Sequence, residues 1–205
     1  RSPSGFNLQP YTIVMVQSEE AKAAVADACL GPNAWRVQDA AVTAVFAADL
    51  ESLRRVDAVV QMERSSGAHE GYLASLPMNA AAFASGPLPR IASLVRSTLI
   101  RAASALTPMP TPQSPSAWAY KQTAMAATTM LLAATAHGLA TCPMEGFDGD
   151  RIARALDIPS RYDVPLIISM GQAHAEDPSQ ARRSPRFALP DMVRDDTFGQ
   201  PWEAR

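Results

Sequence analysis

Much that commonly advertises a function is missing from this sequence. Cysteine is nearly absent, with Cys29 and Cys142 alone. Two thiols cannot build a disulfide framework or a four-cysteine zinc site, and they fit a reducing compartment. Lysine is as scarce, at Lys22 and Lys121, so nearly all positive charge is arginine. With abundant alanine and 17 prolines, this has the look of a GC-rich genome and carries no functional reading. There is no basic excess: 18 Lys and Arg against 20 Asp and Glu leave a formal net charge of -2. That argues against a nucleic-acid partner held by phosphate contacts. No apolar run reaches the length of a membrane-spanning helix, so no membrane partner is expected. His69, His137 and His174 lack metal-ligand spacing, and no metal is expected. A Gly-x-Ser-x-Gly elbow, a Gly-x-Gly-x-x-Gly turn after a strand and a phosphate loop are all missing. Serine hydrolases, Rossmann dehydrogenases and nucleoside triphosphatases are thereby disfavoured.

What is present is a chain of 205 residues, 47% hydrophobic and 19% charged. This is a one-domain length that can bury a core without cross-links. It begins Arg1-Ser2-Pro3-Ser4-Gly5 with no initiator methionine. Residue 1 is therefore expected not to be the native start, and any targeting segment would lie upstream. Buried strands are expected at Gln9 to Val16, Ala41 to Ala47 and Val164 to Met170. A helix should run from Glu19, capped by Ser18, to about Leu30 and stop at Gly31-Pro32. Residues 33–39 suggest a short connection with one helical turn, and 50–106 two or three helices. The four prolines between Thr107 and Pro115 mark an extended loop. The clearest helix, Ser116 to His137, has Ser116 as its cap and Gly138 as its end. Being apolar on nearly all sides, it should be central or lie at a subunit interface. Asp148 caps a further helix, and residues 172–205 form an extended C-terminal arm.

Two segments hold the chemistry. Pro3-Ser4-Gly5-Phe6-Asn7-Leu8-Gln9-Pro10-Tyr11 is a polar turn running into a strand. Cys142-Pro143-Met144-Glu145-Gly146-Phe147-Asp148 places Gly146, where backbone can approach a flat ligand, just before a helix start. Each alone is an ordinary turn. Together, and joined by Asn33-Ala34-Trp35-Arg36, Trp118-Ala119-Tyr120-Lys121-Gln122, Ile158-Pro159-x-x-Tyr162 and Arg182-Arg183-Ser184-Pro185-Arg186, they form an ordered set. That set resembles the FMN-dependent nitroreductase family along nearly the whole chain.

The resemblance implies an α+β fold: one domain over 1–205, a small central sheet flanked by helices, and a homodimer with the long helix at its core and FMN between the subunits. Pro3, Ser4 and Asn7 match the segment that reaches the flavin of the partner subunit. Asn33 and Arg36 match contacts to the isoalloxazine edge, with arginine where the family often has lysine. Glu145 and Gly146 match the pair whose backbone N–H groups approach flavin N5, and Met144 would pack on a ring face. Arg186 matches a phosphate-binding arginine, with Arg183 standing in for a lysine that is Ser184 here. The family's opening helix and arginine-rich phosphate loop have no counterpart here: either the domain is N-terminally truncated, as expected, or it lacks that loop.

The implied activity is ping-pong reduction. NADH or NADPH gives hydride to flavin N5, and a nitroaromatic, quinone or similar acceptor takes it, with no protein nucleophile or base. A cytoplasmic setting is expected. Two alternatives stand beside this. One is the same fold acting on another substrate, decided by a lid in residues 65–115. The other is a non-catalytic, flavin-free dimeric or regulatory protein.

Overall fold

Four strands form one antiparallel sheet in the order β1-β2-β4-β3, with β1 Tyr11–Val16, β2 Val42–Asp49, β3 Leu139–Met144 and β4 Tyr162–Gln172. The computed structural model describes residues 1–84, 90–173 and 184–202. β2 pairs on both edges and is buried from Thr43 to Asp49. Successive side chains of a strand point to opposite faces, and the core divides accordingly. Val45 and Ile167 lie on one face with Val16 and Met144, whereas Ala44, Phe46, Ile168 and Met170 lie on the other.

Helices cover both faces. α1 (Glu19–Asp27), α2 (Asn33–Asp39) and α7 (Gly149–Ala155) place Val25, Val37 and Ile152 on the first. Lys22 is buried there, and its ammonium holds the carbonyls of Gln38 and Ala40 at 3.1 and 3.3 Å, joining α1 to the end of α2. α6 (Pro115–Ala136) covers the second face through Ala126, Ala127 and Ala134. A third cluster forms where a 3-10 turn, Gly5–Asn7, meets α3 (Val56–Ser65), α4 (Glu70–Phe83) and the start of α6; it contains Leu8, Val59, Leu76 and Trp118. α5 (Arg90–Ala103) completes the helices of the first compact unit, Arg1–Gln172. Ala173–Arg205 is a separate unit, whose described residues include one short helix, α8 (Leu189–Met192).

The expected strands are present, and a fourth, Leu139–Met144, forms one edge of the sheet. Three boundaries move for physical reasons. α1 stops at Asp27 rather than Leu30, because the next residues pair with a distant turn: the Asp148 N–H donates to the Ala28 carbonyl at 2.8 Å. α2 has seven residues, about two turns rather than one. α6 is capped by Ser114, whose hydroxyl accepts from the Ala117 N–H at 3.1 Å, and Pro115 takes the first helical position that suits it. Gly138 ends α6 at a φ of +74°. Within this chain α6 is buried on one face only, and Leu132 on the other is 69% exposed.

Tyr120 ties α6 to the start of β4, its hydroxyl donating to Asp163 Oδ2 at 2.7 Å. Burial, and then this hydrogen bond, push the phenol up to about 12. The folded chain thus holds that proton to higher pH than the unfolded chain does. The contribution to stability is whole below the ordinary phenol pKa of about 10 and is lost as pH rises toward the folded value. In alkaline denaturation, Tyr120→Phe should lose stability less steeply across that window than the parent; identical slopes would contradict the assignment.

Candidate functional site

The turn after β3 is held against the reversal between α1 and α2. One carbonyl does most of this: Gly146 O accepts from the Leu30 N–H at 2.9 Å and from Asn33 Nδ2 at 3.1 Å. Asn33 Oδ1 in turn accepts from Arg36 Nη1 at 2.9 Å, three residues along the same helix face. A Cβ at Gly146 would stand 2.7 Å from Asn33 Nδ2, so any other residue here would have to push the carboxamide aside. The close approach expected of Gly146 is thus made, in this chain, by Asn33.

Arg36 lies in the last turn of α2, where a cation is favoured. It is half-buried, and its side-chain partners among the described residues are Asn33 and the Trp35 ring, 5.5 Å away. Among the described residues no carboxylate pairs with it. The neighbouring backbone offers donors. Phe147 N–H turns back to the Glu145 carbonyl at 3.0 Å, but among the described residues neither the Glu145 nor the Gly146 N–H has an acceptor. Buried backbone donors are nearly always paired within a fold, but Glu145 is exposed and Gly146 half-buried, so their N–H groups are open to solvent or to a ligand. Two adjacent open N–H groups beside this cation suit an electron-rich, partly anionic ring edge. The residues present therefore fit a flavin. Met144, expected against a ring face, is 4% exposed and packs with Val16, Val25 and Ile167, so its side chain belongs to the core.

Pro3, Ser4 and Asn7 form a second group. Ser4 Oγ accepts from the Gln9 N–H at 3.0 Å, and Asn7 Nδ2 donates to Glu63 Oε1 at 2.8 Å. Pro3 is exposed. Among the described residues no hydrogen bond joins this group to Asn33, Arg36 and Gly146, as suits a segment expected to serve the partner subunit. The loop's anchors escaped sequence reasoning: Gln122 Oε1 accepts from the Gly5 N–H at 2.7 Å, and Arg55 Nη1 donates to the Gln9 carbonyl at 2.6 Å. Their spacing along the chain gives no signal; only tertiary contact reveals them. Arg186 is exposed in the C-terminal unit, donating to the Pro185 carbonyl at 2.9 Å, and Arg183 lies outside the described residues.

A cavity of about 280 Å³ between α6, α7 and β4, lined by Tyr120, Asp148, Tyr162 and Asp163, contains none of the expected site residues. Among the described residues no His, Cys, Asp and Glu group could hold a metal, and no helix is long and apolar enough to cross a membrane.

Gly146→Ala should force the Asn33 carboxamide away and cost roughly 1–3 kcal/mol of stability. Removing the opposing amide should relieve the clash, so Asn33→Ala and Gly146→Ala should be strongly non-additive in a double-mutant cycle read by denaturant unfolding. Simple additivity would show that the two do not touch.

A family model described as the nitroreductase family matches residues 1–172. A protein named NADH dehydrogenase from Thermus thermophilus is 28% identical over 172 residues, covering 83% of this chain and 70% of that one. Among solved structures, a nitroreductase family protein from Streptococcus pneumoniae superposes with a TM-score of 0.70 at 21% identity, covering 95% of this chain and 82% of that one. A protein assigned as a nitroreductase from Exiguobacterium sibiricum, in complex with FMN, gives 0.65 at 20% identity, with 94% and 79% covered. The helices around a small antiparallel sheet are this α+β fold, and the chain belongs to the nitroreductase family.

Proposed function

We propose that the chain is an FMN-dependent NAD(P)H oxidoreductase acting on nitroaromatics, quinones or similar electron-poor acceptors. The observation that carries this reading is the junction of Asn33, Arg36 and the open amides of Glu145 and Gly146. FMN, when bound, supplies a two-electron carrier that takes hydride at N5 from a nicotinamide and yields it to the acceptor. The chain's own residues bind and orient. The Glu145 and Gly146 N–H groups donate to ring heteroatoms. Asn33 holds Arg36 in place, and Arg36 sets positive charge beside the ring edge that gains electron density on reduction. No side chain here is a nucleophile or a general base; protons come from solvent or substrate.

A homodimer is part of the proposal. The outer face of α6 leaves Met125 and Leu132 uncovered, an apolar stripe of the kind that a second subunit buries. It would also explain why a single chain shows two separated groups of site residues. The reading draws support from the family match and from the relatives' printed names, one an NADH dehydrogenase and another a structure holding FMN.

Purified protein titrated with FMN and then desalted should retain the flavin's visible absorption. Failure to retain any flavin at saturating FMN would overturn the reading in favour of a flavin-free protein. In the loaded protein, Arg36→Ala should lower the reduction potential by roughly 30 mV, the equivalent of about a tenfold change for a two-electron couple. An unchanged potential would remove Arg36 from the ring edge.

A further inference from the structure

The loop from Ser4 to Pro10 is bent in a way its sequence does not favour. Phe6, Asn7 and Gln9 have φ of 55°, 54° and 44°, the left-handed region that suits glycine. Phe6 is bulky, and Gln9 precedes a proline, which restricts it further. Conformations of this kind persist only where the surroundings over-determine them, and they collect at functional sites.

Two charged side chains from one short stretch of chain supply the constraint. Arg55 uses its whole fork. Nη1 donates to the Gln9 carbonyl at 2.6 Å, Nε to Asp49 Oδ2 at 3.2 Å, and Nη2 to Thr12 Oγ1 and the Tyr162 hydroxyl, both at 3.4 Å. Asp49 is fully buried and is itself fixed by the Glu51 N–H at 3.0 Å, so the anchor is rigid. The Asp49 N–H also donates to the Pro10 carbonyl at 2.8 Å. Glu63, near the end of α3, which Arg55 precedes, holds the other end. Its Oε1 accepts from Asn7 Nδ2 at 2.8 Å, while Asn7 Oδ1 accepts from Gln9 Nε2 at 3.0 Å. The cation thus fixes the backbone of Gln9, the anion fixes the side chain of Asn7, and Gln9 links the two.

We propose that Arg55 and Glu63 are positioning residues that clamp the Ser4–Pro10 loop in the strained shape it presents to the cofactor. The cofactor part rests on the function proposed above; the clamp does not. A lysine cannot reproduce Arg55's fork, whereas a glutamine at position 63 keeps an acceptor oxygen. The two substitutions should therefore behave differently.

The test compares Arg55→Lys, Glu63→Ala and Glu63→Gln in the full chain by amide hydrogen exchange and FMN titration. The N–H groups of Asn7, Leu8 and Gln9 bond to Ser4 O, Gly5 O and Ser4 Oγ, and they report the loop directly. Arg55→Lys and Glu63→Ala should speed their exchange about tenfold or more while core amides such as those of Val45 and Ile167 stay protected. Both should raise the FMN dissociation constant by about tenfold. Glu63→Gln should restore both readouts. Unchanged loop exchange, or loss of protection spread evenly through the core, overturns the clamp; a loosened loop with unchanged FMN affinity overturns its positioning role toward the cofactor. Should Arg55→Lys not fold, the Glu63 pair alone decides, because rescue by glutamine is required. If the parent protein binds no FMN, the function proposed above fails, while the exchange pattern still upholds or overturns the clamp.

Discussion

The carbonyl of Gly146 is the point on which the candidate site depends. It accepts from the Leu30 N–H and from the Asn33 carboxamide, and so binds the turn after β3 to the reversal before α2. That double acceptance needs the space a side chain would fill. It fixes the Gly146–Phe147 peptide and orients Asn33 to hold Arg36, while among the described residues the Glu145 and Gly146 N–H groups have no acceptor. α1 is shortened by the same junction, because the Ala28 carbonyl and the Leu30 N–H bond to the turn. The core below is organised to keep this junction in place: Met144 enters it from the strand side, and Val25 and Val37 from the helix side.

The site has two kinds of rigidity. At Gly146, close approach of neutral groups does the work, and each group is satisfied without strain. At the loop from Ser4 to Pro10 the backbone is strained, and charge holds it, through a fully buried carboxylate at Asp49 and a guanidinium that reaches β1, β4 and the loop at once. In the proposed homodimer the loop projects from its own subunit, and a charged clamp suits that, since apolar contacts alone would draw it into the core. Leu8 shows that tendency, being 1% exposed between two residues with left-handed backbone.

The fold was legible wherever a local signal sufficed. Alternating or continuous apolar runs marked β1, β2 and β4, and Gly138 and Asp148 marked ends that are set by their own backbone or side chain. Ser114 rather than Ser116 caps α6 because Pro115 suits the first helical position. The end of α1 could not be read, since it is decided by pairing with residues more than a hundred positions away. Within the candidate site, the motif order located Asn33, Arg36 and Gly146, and the structure brings those three together. Met144 was misplaced because a motif gives proximity to a ligand but not the direction of a side chain in a strand. Arg55, Glu63 and Asp49 left no trace in the motifs, as their role exists only once the loop, β1, β2 and β4 are assembled.

The central claim is that the turn after β3 offers its two open amides to a flavin. The most direct measurement is the amide NMR spectrum of the protein as FMN is added. Saturable, large shifts of the Glu145 and Gly146 signals, with slowed solvent exchange at both, are the predicted result. FMN binding that leaves those two signals where they were would contradict it.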